Sequence, residues 1–437
     1  MKHLGRLILE SLALLVLCLV LTVALNGKLP RSLTRQPFTY TLASKGSPNL
    51  TPRDASAGSS VSEVESVSTT ETTEKKIVTG GDQGKSYPGF TLYSTSGTAE
   101  IVLANEKGEF VHRWDVDADR ARLLPNCNVL VVHGSKWGLA REPWSSLRSV
   151  IREYDWEGKI AWEASLPSDA HHDIWRMKNG HTLVPYLTRV PRDIIVQQLG
   201  PDFKDFHVRS DVIVELDGKG ETVWEWKAHE HLSISDCGAR GCPEFSAKYR
   251  EGHKRFDWTH INTARPLPDN KWFEGGDKRF APGNVLVFPR NFWSALIIDR
   301  TTKEVVWRYS AEKNGGLSGG HEAYMIENGL PGAGNILIFD NGRVGEESRV
   351  LEVNPITEDV VWEYHRPGEF FSRVAGAAQR LPNGNTLISE DTTGRVFEVT
   401  SDGTTVWSHQ AYKLRINRAN RYPEGYCAER PEMTKSS

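Results

Sequence analysis

The chain has 437 residues, with 53 Lys plus Arg against 56 Asp plus Glu and a formal net charge of −3. That balance gives no reason to expect a nucleic-acid groove, which shows as a basic excess. At 38% hydrophobic and 25% charged, with 14 Trp and 38 Gly beside 4 Met, the composition favours short strands and tight turns and all but excludes a helical bundle.

Residues 11–25, SLALLVLCLVLTVAL, form an uncharged apolar run after Lys2, Arg6 and Glu10. A membrane span needs about 20 residues, about 17 at the least, so the run spans only if Leu7 to Leu9 join it. Otherwise it is the apolar region of a secretion signal. No small-x-small cleavage site follows Leu25, which favours an uncleaved anchoring helix, assigned to residues 1–35. Lys28, Arg31 and Arg35 lie just beyond and leave the orientation unset. Either way the bulk of the chain is expected on the extracytoplasmic side, periplasmic or extracellular. Between Ala43 and Gly84 the composition shifts, and SAGSSVSEVESVSTTETTEKK carries no aromatic residue. Such a stretch cannot bury enough to order itself, so residues 36–86 read as a flexible linker.

From Tyr87 two phrases alternate. The first is a turn, a short apolar strand and a Trp, ending at Trp114, Trp162, Trp224, Trp307, Trp362 and Trp407. The second is a turn with Asn or Gly followed by an apolar strand: LLPNCNVLVV, RMKNGHTLVPY, APGNVLVFPR, GAGNILIFDNG and LPNGNTLISE. NG and GN pairs supply positive φ for hairpins, and the apolar runs supply half-buried strands. Repeats of one sheet-sized unit mark a propeller or solenoid, and six Trp phrases predict an all-β, six-bladed β-propeller over residues 87–425, with a tail at 426–437. The repeated Trp residues read as blade packing. Surplus length falls between Trp226 and Trp258 and at Asn270 to Pro282, which read as long loops.

Of the five cysteines, Cys18 lies in the apolar run, Cys127 reads as a buried thiol and Cys427 is left over. Cys237 and Cys242, in CGARGC, bracket a short turn and are expected to form a local disulfide in an exported protein. His229, His231 and His253 nearby keep zinc as an alternative, but the spacings match no common zinc pattern.

Four segments break the repeat with polar chemistry where strands begin: HHDIWRMKNG from His171, DWTHINTA from Asp257, FPRNFWSALIID from Phe288 and GGHEAYMIENG from Gly319. One His per unit, each ahead of an inward-pointing strand, converges on a shared pocket. These segments, in this order, resemble the arylsulfotransferase family, exported bacterial six-bladed propellers that move sulfuryl groups between phenols. The resemblance runs from about Gly89 to Gln410. It implies that His321 in GHEA is the histidine that becomes sulfated and that His260 is an active-site residue. It also implies that Arg290 binds sulfate oxygens and that His172, or its neighbour His171, is the first-motif histidine. His171 and Asn262 of HIN are carried over as substrate-binding residues. The insert KWFEGGDKRFAP lengthens the chain between His260 and Arg290, and Glu322 follows His321 where Asp is common.

The resemblance implies a nucleotide-independent sulfotransferase with an aryl sulfate donor and a phenolic acceptor. It needs no cofactor and no metal, because His and Arg together can hold a sulfate monoester. The only other expected partner is the membrane, through the N-terminal run. An imidazole nucleophile divides the transfer into two displacements. A second reading is a non-catalytic exported propeller that binds a surface polymer or protein, since this fold hosts many functions. A third, a quinoprotein dehydrogenase, shares the GKIAW phrase but calls for more blades and for adjacent cysteines or calcium ligands.

Overall fold

The computed structural model describes residues 80–81, 84–246, 254–411, 414–427 and 429–433. The anchor reading and most of the linker reading lie outside them. Among the described residues no helix is long and apolar enough to cross a membrane.

Six sheets make the propeller expected from the repeats. Counted outward from the channel, blade one is Ile416–Tyr422, Phe90–Thr95, Ile101–Ala104 and Phe110–Trp114. Blade two is Arg120–Leu123, Val129–Val132, Val150–Tyr154 and Ile160–Ser165, and blade three is Trp175–Arg176, Thr182–Arg189, His207–Leu216 and Thr222–Lys227. Blade four runs Ile261–Pro266, Val285–Pro289, Ala295–Ile298 and Val305–Tyr309; blade five runs Glu322–Met325, Ile336–Asp340, Arg349–Val353 and Val360–His365. Blade six is Ala377–Arg380, Thr386–Glu390, Arg395–Val399 and Thr405–Gln410. Blade one takes its innermost strand from the C-terminal part of the chain. Its inner hairpin is therefore split, which is why the hairpin phrase occurs one time fewer than the Trp phrase.

Two blades carry a fifth strand. Arg255–Asp257 pairs parallel with His207–Arg209 in blade three, and Gly80–Gly81 pairs with Trp407 and Ser408 at the rim of blade six. The folded part thus takes in residues inside the stretch read as linker. At the other end Cys427 and Met433, in the stretch read as a tail, are buried in the core between blades one and two.

Each Trp of the first phrase lies on the fourth strand of its blade and does the same thing. Its indole N–H donates to a carbonyl in the turn between the third and fourth strands of the next blade. Trp114, Trp162, Trp224, Trp307, Trp362 and Trp407 reach Asp155, Gly218, Arg300, Pro355, Ser401 and Glu106, at 2.7–3.0 Å. The last bond returns to blade one and closes the circle. A large apolar ring with one donor suits this position, because it fills the gap between blades and satisfies a turn carbonyl.

The second strands differ from the half-buried expectation: they are buried on both faces. Val129 and Val131 pack toward blade one while Leu130 and Val132 pack toward blade three. Val285 and Val287 face blade three while Leu286 and Phe288 face blade five. A blade stacked between two neighbours has no wet face, so its middle strands read as unbroken apolar runs.

The insert of blade four forms a short helix, Lys271–Glu274, capped by Asn270 and tied to blade five by the Trp272 indole donating to Gly334 O at 2.7 Å. It joins the first and second strands, at the mouth of the channel opposite the histidines. A cavity of about 920 Å³ opens there, with Trp175, Tyr324 and Tyr422 in its wall.

Candidate active site

At the other mouth, His171, His172, His260, Arg290 and His321 line one cavity of about 300 Å³. A common device delivers the histidines: His172, His260 and His321 each sit on the segment entering an innermost strand. His172 and His260 hold left-handed backbone, with φ of 64° and 53°, a conformation that costs a non-glycine residue about 1–2 kcal/mol. Strain of this kind concentrates where a side chain must be aimed. His321 follows Gly320, where a Cβ would come within 2.5 Å of the Phe288 ring; only glycine lets the chain pass there. The insert does not part His260 from Arg290, because the Arg290 N–H donates to His260 O at 3.0 Å.

The HHD segment divides its work three ways. The His171 ring meets Asp211 at 2.9 Å through Nε2, and Asp211 also accepts the Ile261 N–H and the Thr259 hydroxyl. His172 meets Asp119 at 3.0 Å through Nδ1 and turns Nε2 toward His260. Asp173 points down the channel into a buried cluster, pairing with Arg122 at 2.8 Å and with Arg120 at 3.5 Å. Those guanidiniums hold its carboxyl well below the usual range despite burial. Glu322 belongs to the same cluster, pairing with Arg265 and, at 3.5 Å, with Arg120.

His260 meets Asp257 through Nδ1 at 2.5 Å, and its Nε2 lies 3.0 Å from Nε2 of His172. With both Nδ1 atoms facing carboxylates, each Nδ1 carries a proton, and two bare Nε2 lone pairs would repel. One further proton between them satisfies both rings. Burial lowers the pKa of each ring, His260 to about 4, against the pull of its carboxylate. Both carboxylates stay ionised, since the facing imidazoles outweigh burial at Asp119 and, with Arg290, at Asp257.

His321 is buried, and its Nδ1 faces two oxygens, Asn341 Oδ1 at 2.6 Å and Gly319 O at 3.2 Å. The Asn341 amide cannot turn over, because its nitrogen donates to Ser372 O and Ala375 O at 2.6 and 2.7 Å. Nδ1 must therefore be the protonated nitrogen, which leaves the lone pair on Nε2. Burial, Arg418, Arg290 and His172 hold the ring well below its ordinary pKa, so it stays neutral. Asn262 stands apart from the cavity: it is buried and donates to Gly320 O at 3.0 Å, bracing the loop that carries His321.

The family model for arylsulfotransferase (ASST) matches residues 148–412. The chain belongs to the arylsulfotransferase family. No curated protein matches it. Among solved structures, a Bacteroides caccae protein described as of unknown function has a TM-score of 0.48 and 13% identity, covering 76% of this chain and 98% of that one. A streptogramin B lyase gives a TM-score of 0.41 and 12% identity, covering 79% and 93%. The Staphylococcus aureus virginiamycin B lyase gives 0.41 and 9%, covering 77% and 89%. Nothing of their chemistry is carried over at such distances.

The site also draws on residues that the sequence reading passed over. Asp257 and Asn341 lay within the quoted motifs, and the signal for each was a polar side chain at a strand end facing a motif histidine. Arg418 carried no signal. It lies on Ile416–Tyr422, beyond both the resemblance and the matched region, yet it lines the cavity with left-handed backbone at φ 41°. Asp391 also lines it, with burial raising its pKa to about 6. Cys237 and Cys242 form the expected disulfide, which occupies the two thiols of the zinc alternative. His229 and His231 lie on the short helix Ala228–His231, and His253 falls outside the described residues. Among the described residues no group of His, Cys, Asp and Glu is arranged to hold a metal ion.

Proposed function

We propose that the protein transfers a sulfuryl group from an aryl sulfate to a phenol in two displacements through Nε2 of His321, without a nucleotide donor. The observation that carries this reading is the fixed Asn341 amide, which gives a buried, neutral histidine with its lone pair free for attack. In the first displacement the Nε2–S bond forms as the S–O bond to the aryl oxygen breaks. Arg290, with Arg418, meets the sulfuryl oxygens, where charge must be stabilised through the transition state. The shared proton of His172 and His260 passes to the departing aryl oxide. In the second displacement the acceptor phenol returns that proton to the pair, and its oxygen takes the sulfuryl group from His321.

One proton thus serves both half-reactions as general acid and then general base. Phenols suit the scheme because an oxide of pKa about 10 leaves far more readily than an alkoxide. A cavity of about 300 Å³ is at the small end for ligand pockets; it suits one ring at a time and hence release of the first phenol before the second binds. The apolar run at 11–25 and the Cys237–Cys242 disulfide support an anchored protein facing an oxidising, extracytoplasmic space.

The test is rapid-mixing of purified protein with 4-methylumbelliferyl sulfate and no acceptor. A burst of umbelliferone equal to the enzyme, and a sulfated peptide containing His321, are expected. Absence of a burst with steady transfer once phenol is added, or full activity in His321→Ala, refutes the scheme.

A further inference from the structure

The cavity carries more positive charge than one sulfate ester can neutralise, and the surplus lies away from Arg290. Its lining includes Lys136, Arg148, Arg209, Arg290, Arg415 and Arg418 against Asp119, Asp169 and Asp391. Asp169 is paired with Arg148, and Asp119 is engaged by His172. Asp257 stands behind Arg290 at 3.5 Å. Arg415 and Arg418 both lie near Asp391, and Arg418 also acts on Asp119, Asp173 and His321; the Asp391 carboxyl is already saturated. It accepts the Ser389 hydroxyl and, at 2.9 Å each, the Gly376 and Arg418 backbone N–H groups.

The guanidiniums themselves are left short of partners. Arg418 is buried; its Nη2 donates to Asn262 O at 2.6 Å, but its Nη1 has no partner among the described residues. The Nε of Arg415 is likewise buried and unpartnered, and its backbone is pinned by the Ser96 N–H donating to Arg415 O at 2.7 Å. A buried guanidinium donor without an acceptor is costly, and oxyanions are what its planar fork fits best. The cavity wall also includes the apolar side chains of Leu139, Leu187 and Val374.

We propose that the aryl sulfate used here carries a second oxyanion on its ring, a carboxylate, phosphate or further sulfate, held by Arg415. The ring lies against the apolar wall while the ester sulfate sits at Arg290 and His321. This inference rests on the sulfuryl-transfer reading of the same cavity, and its test separates the two.

Transfer to phenol is measured for 3- and 4-carboxyphenyl sulfate and for the matching methylphenyl sulfates, with the wild-type protein, Arg415→Gln and Arg415→Lys. The quantity read is the ratio of kcat/KM for carboxylated over methylated donor, in which intrinsic leaving-group differences cancel between proteins. Arg415→Gln is expected to lower that ratio about tenfold or more, the size of a lost charge-assisted hydrogen bond, and Arg415→Lys to restore part of it. A ratio unchanged in Arg415→Gln for both ring positions overturns the proposal while leaving sulfuryl transfer standing. If no donor is turned over, calorimetric titration with 3- and 4-hydroxybenzoate against the corresponding cresols still decides. Preferential binding of a carboxylated phenol, lost in Arg415→Gln, supports the second-oxyanion site, and equal binding overturns it.

Discussion

Asp391 offers a sharp test of the electrostatics around the cavity. Its carboxyl is fully buried, and burial raises its pKa from 3.8 to about 6 in spite of three hydrogen bonds and the nearby Arg415 and Arg418. A carboxyl whose folded pKa exceeds its unfolded value binds its proton more tightly in the native state. Its contribution is therefore most favourable below pH 3.8 and is lost as pH rises through about 6. The displacement of about two units corresponds to roughly 3 kcal/mol of native stability lost by pH 7. In Asp391→Asn the amide oxygen can accept the Gly376 and Arg418 N–H groups while its nitrogen donates to the Ser389 hydroxyl, so the local geometry survives. The variant should gain about 2–3 kcal/mol over the parent at pH 7.5 and little at pH 3.5, read by urea unfolding followed through Trp fluorescence. The depressed carboxyls of Asp119, Asp173 and Asp257 give the opposite slope, but they are common to both proteins and drop out of the difference. A difference that is flat between pH 3.5 and 7.5, or a variant less stable at 7.5, refutes the reasoning.

Asn341→Leu removes the acceptor that fixes the His321 tautomer and should slow the burst by about 10²–10⁴, the scale of a wrong-tautomer defect; near-normal burst rates in a folded variant would count against Nε2 attack. His260→Ala should slow donors with high-pKa phenols by about 10²–10⁴ but spare nitrophenyl sulfate, whose leaving group needs little protonation. A uniform loss across leaving groups would instead assign His260 to binding. Trp407→Phe removes the bond to Glu106 O that closes the ring and part of a buried ring, at an expected cost of about 1–3 kcal/mol. An unchanged denaturation midpoint would show that the repeated indole bonds are incidental.

Where the sequence could be read, it was because a local rule recurred. The Trp phrase appeared once per blade, since each blade must cover the same gap, and the hairpin phrase appeared wherever the first and second strands are contiguous. The motif histidines were legible because a polar residue before an apolar strand stands out. What escaped depended on closure of the ring. Arg418 reaches the cavity only because Ile416–Tyr422 pairs with Phe90–Thr95, more than 300 residues away in sequence, and nothing in INRANRY announces that pairing. The insert Lys271–Pro282 misled by sequence distance alone: it lengthens the chain between His260 and Arg290 at the far mouth, while their backbones are hydrogen-bonded at the near one. The choice between His171 and His172 needed their partners. Asp211 and Asp119 lie on different blades, and which carboxylate meets which ring is a matter of register.

Ring closure also explains why the site has so rigid a floor. Blades one and four stand opposite each other in a six-fold ring, as do blades two and five. Across the channel, Arg120 of blade two reaches Glu322 of blade five at 3.5 Å and donates to Arg418 O at 3.0 Å. Arg418 of blade one donates to Asn262 O of blade four at 2.6 Å, and the Asn262 amide donates to Gly320 O, beside His321, at 3.0 Å. The neighbouring Thr263 hydroxyl donates to His321 O at 2.9 Å. These bonds act as spokes joining opposite inner strands, with Asp173, Arg122 and Arg265 filling the hub. Buried ion pairs of this kind add little net stability, because desolvation offsets most of their attraction. What they do fix is geometry, since each guanidinium admits few arrangements that satisfy its donors. The loop carrying His321 is therefore referenced to blades one and four as well as to its own. A chain that reached the right topology without the last inner strand would hold every motif histidine, yet lack the brace that sets the distance from His321 to Arg290.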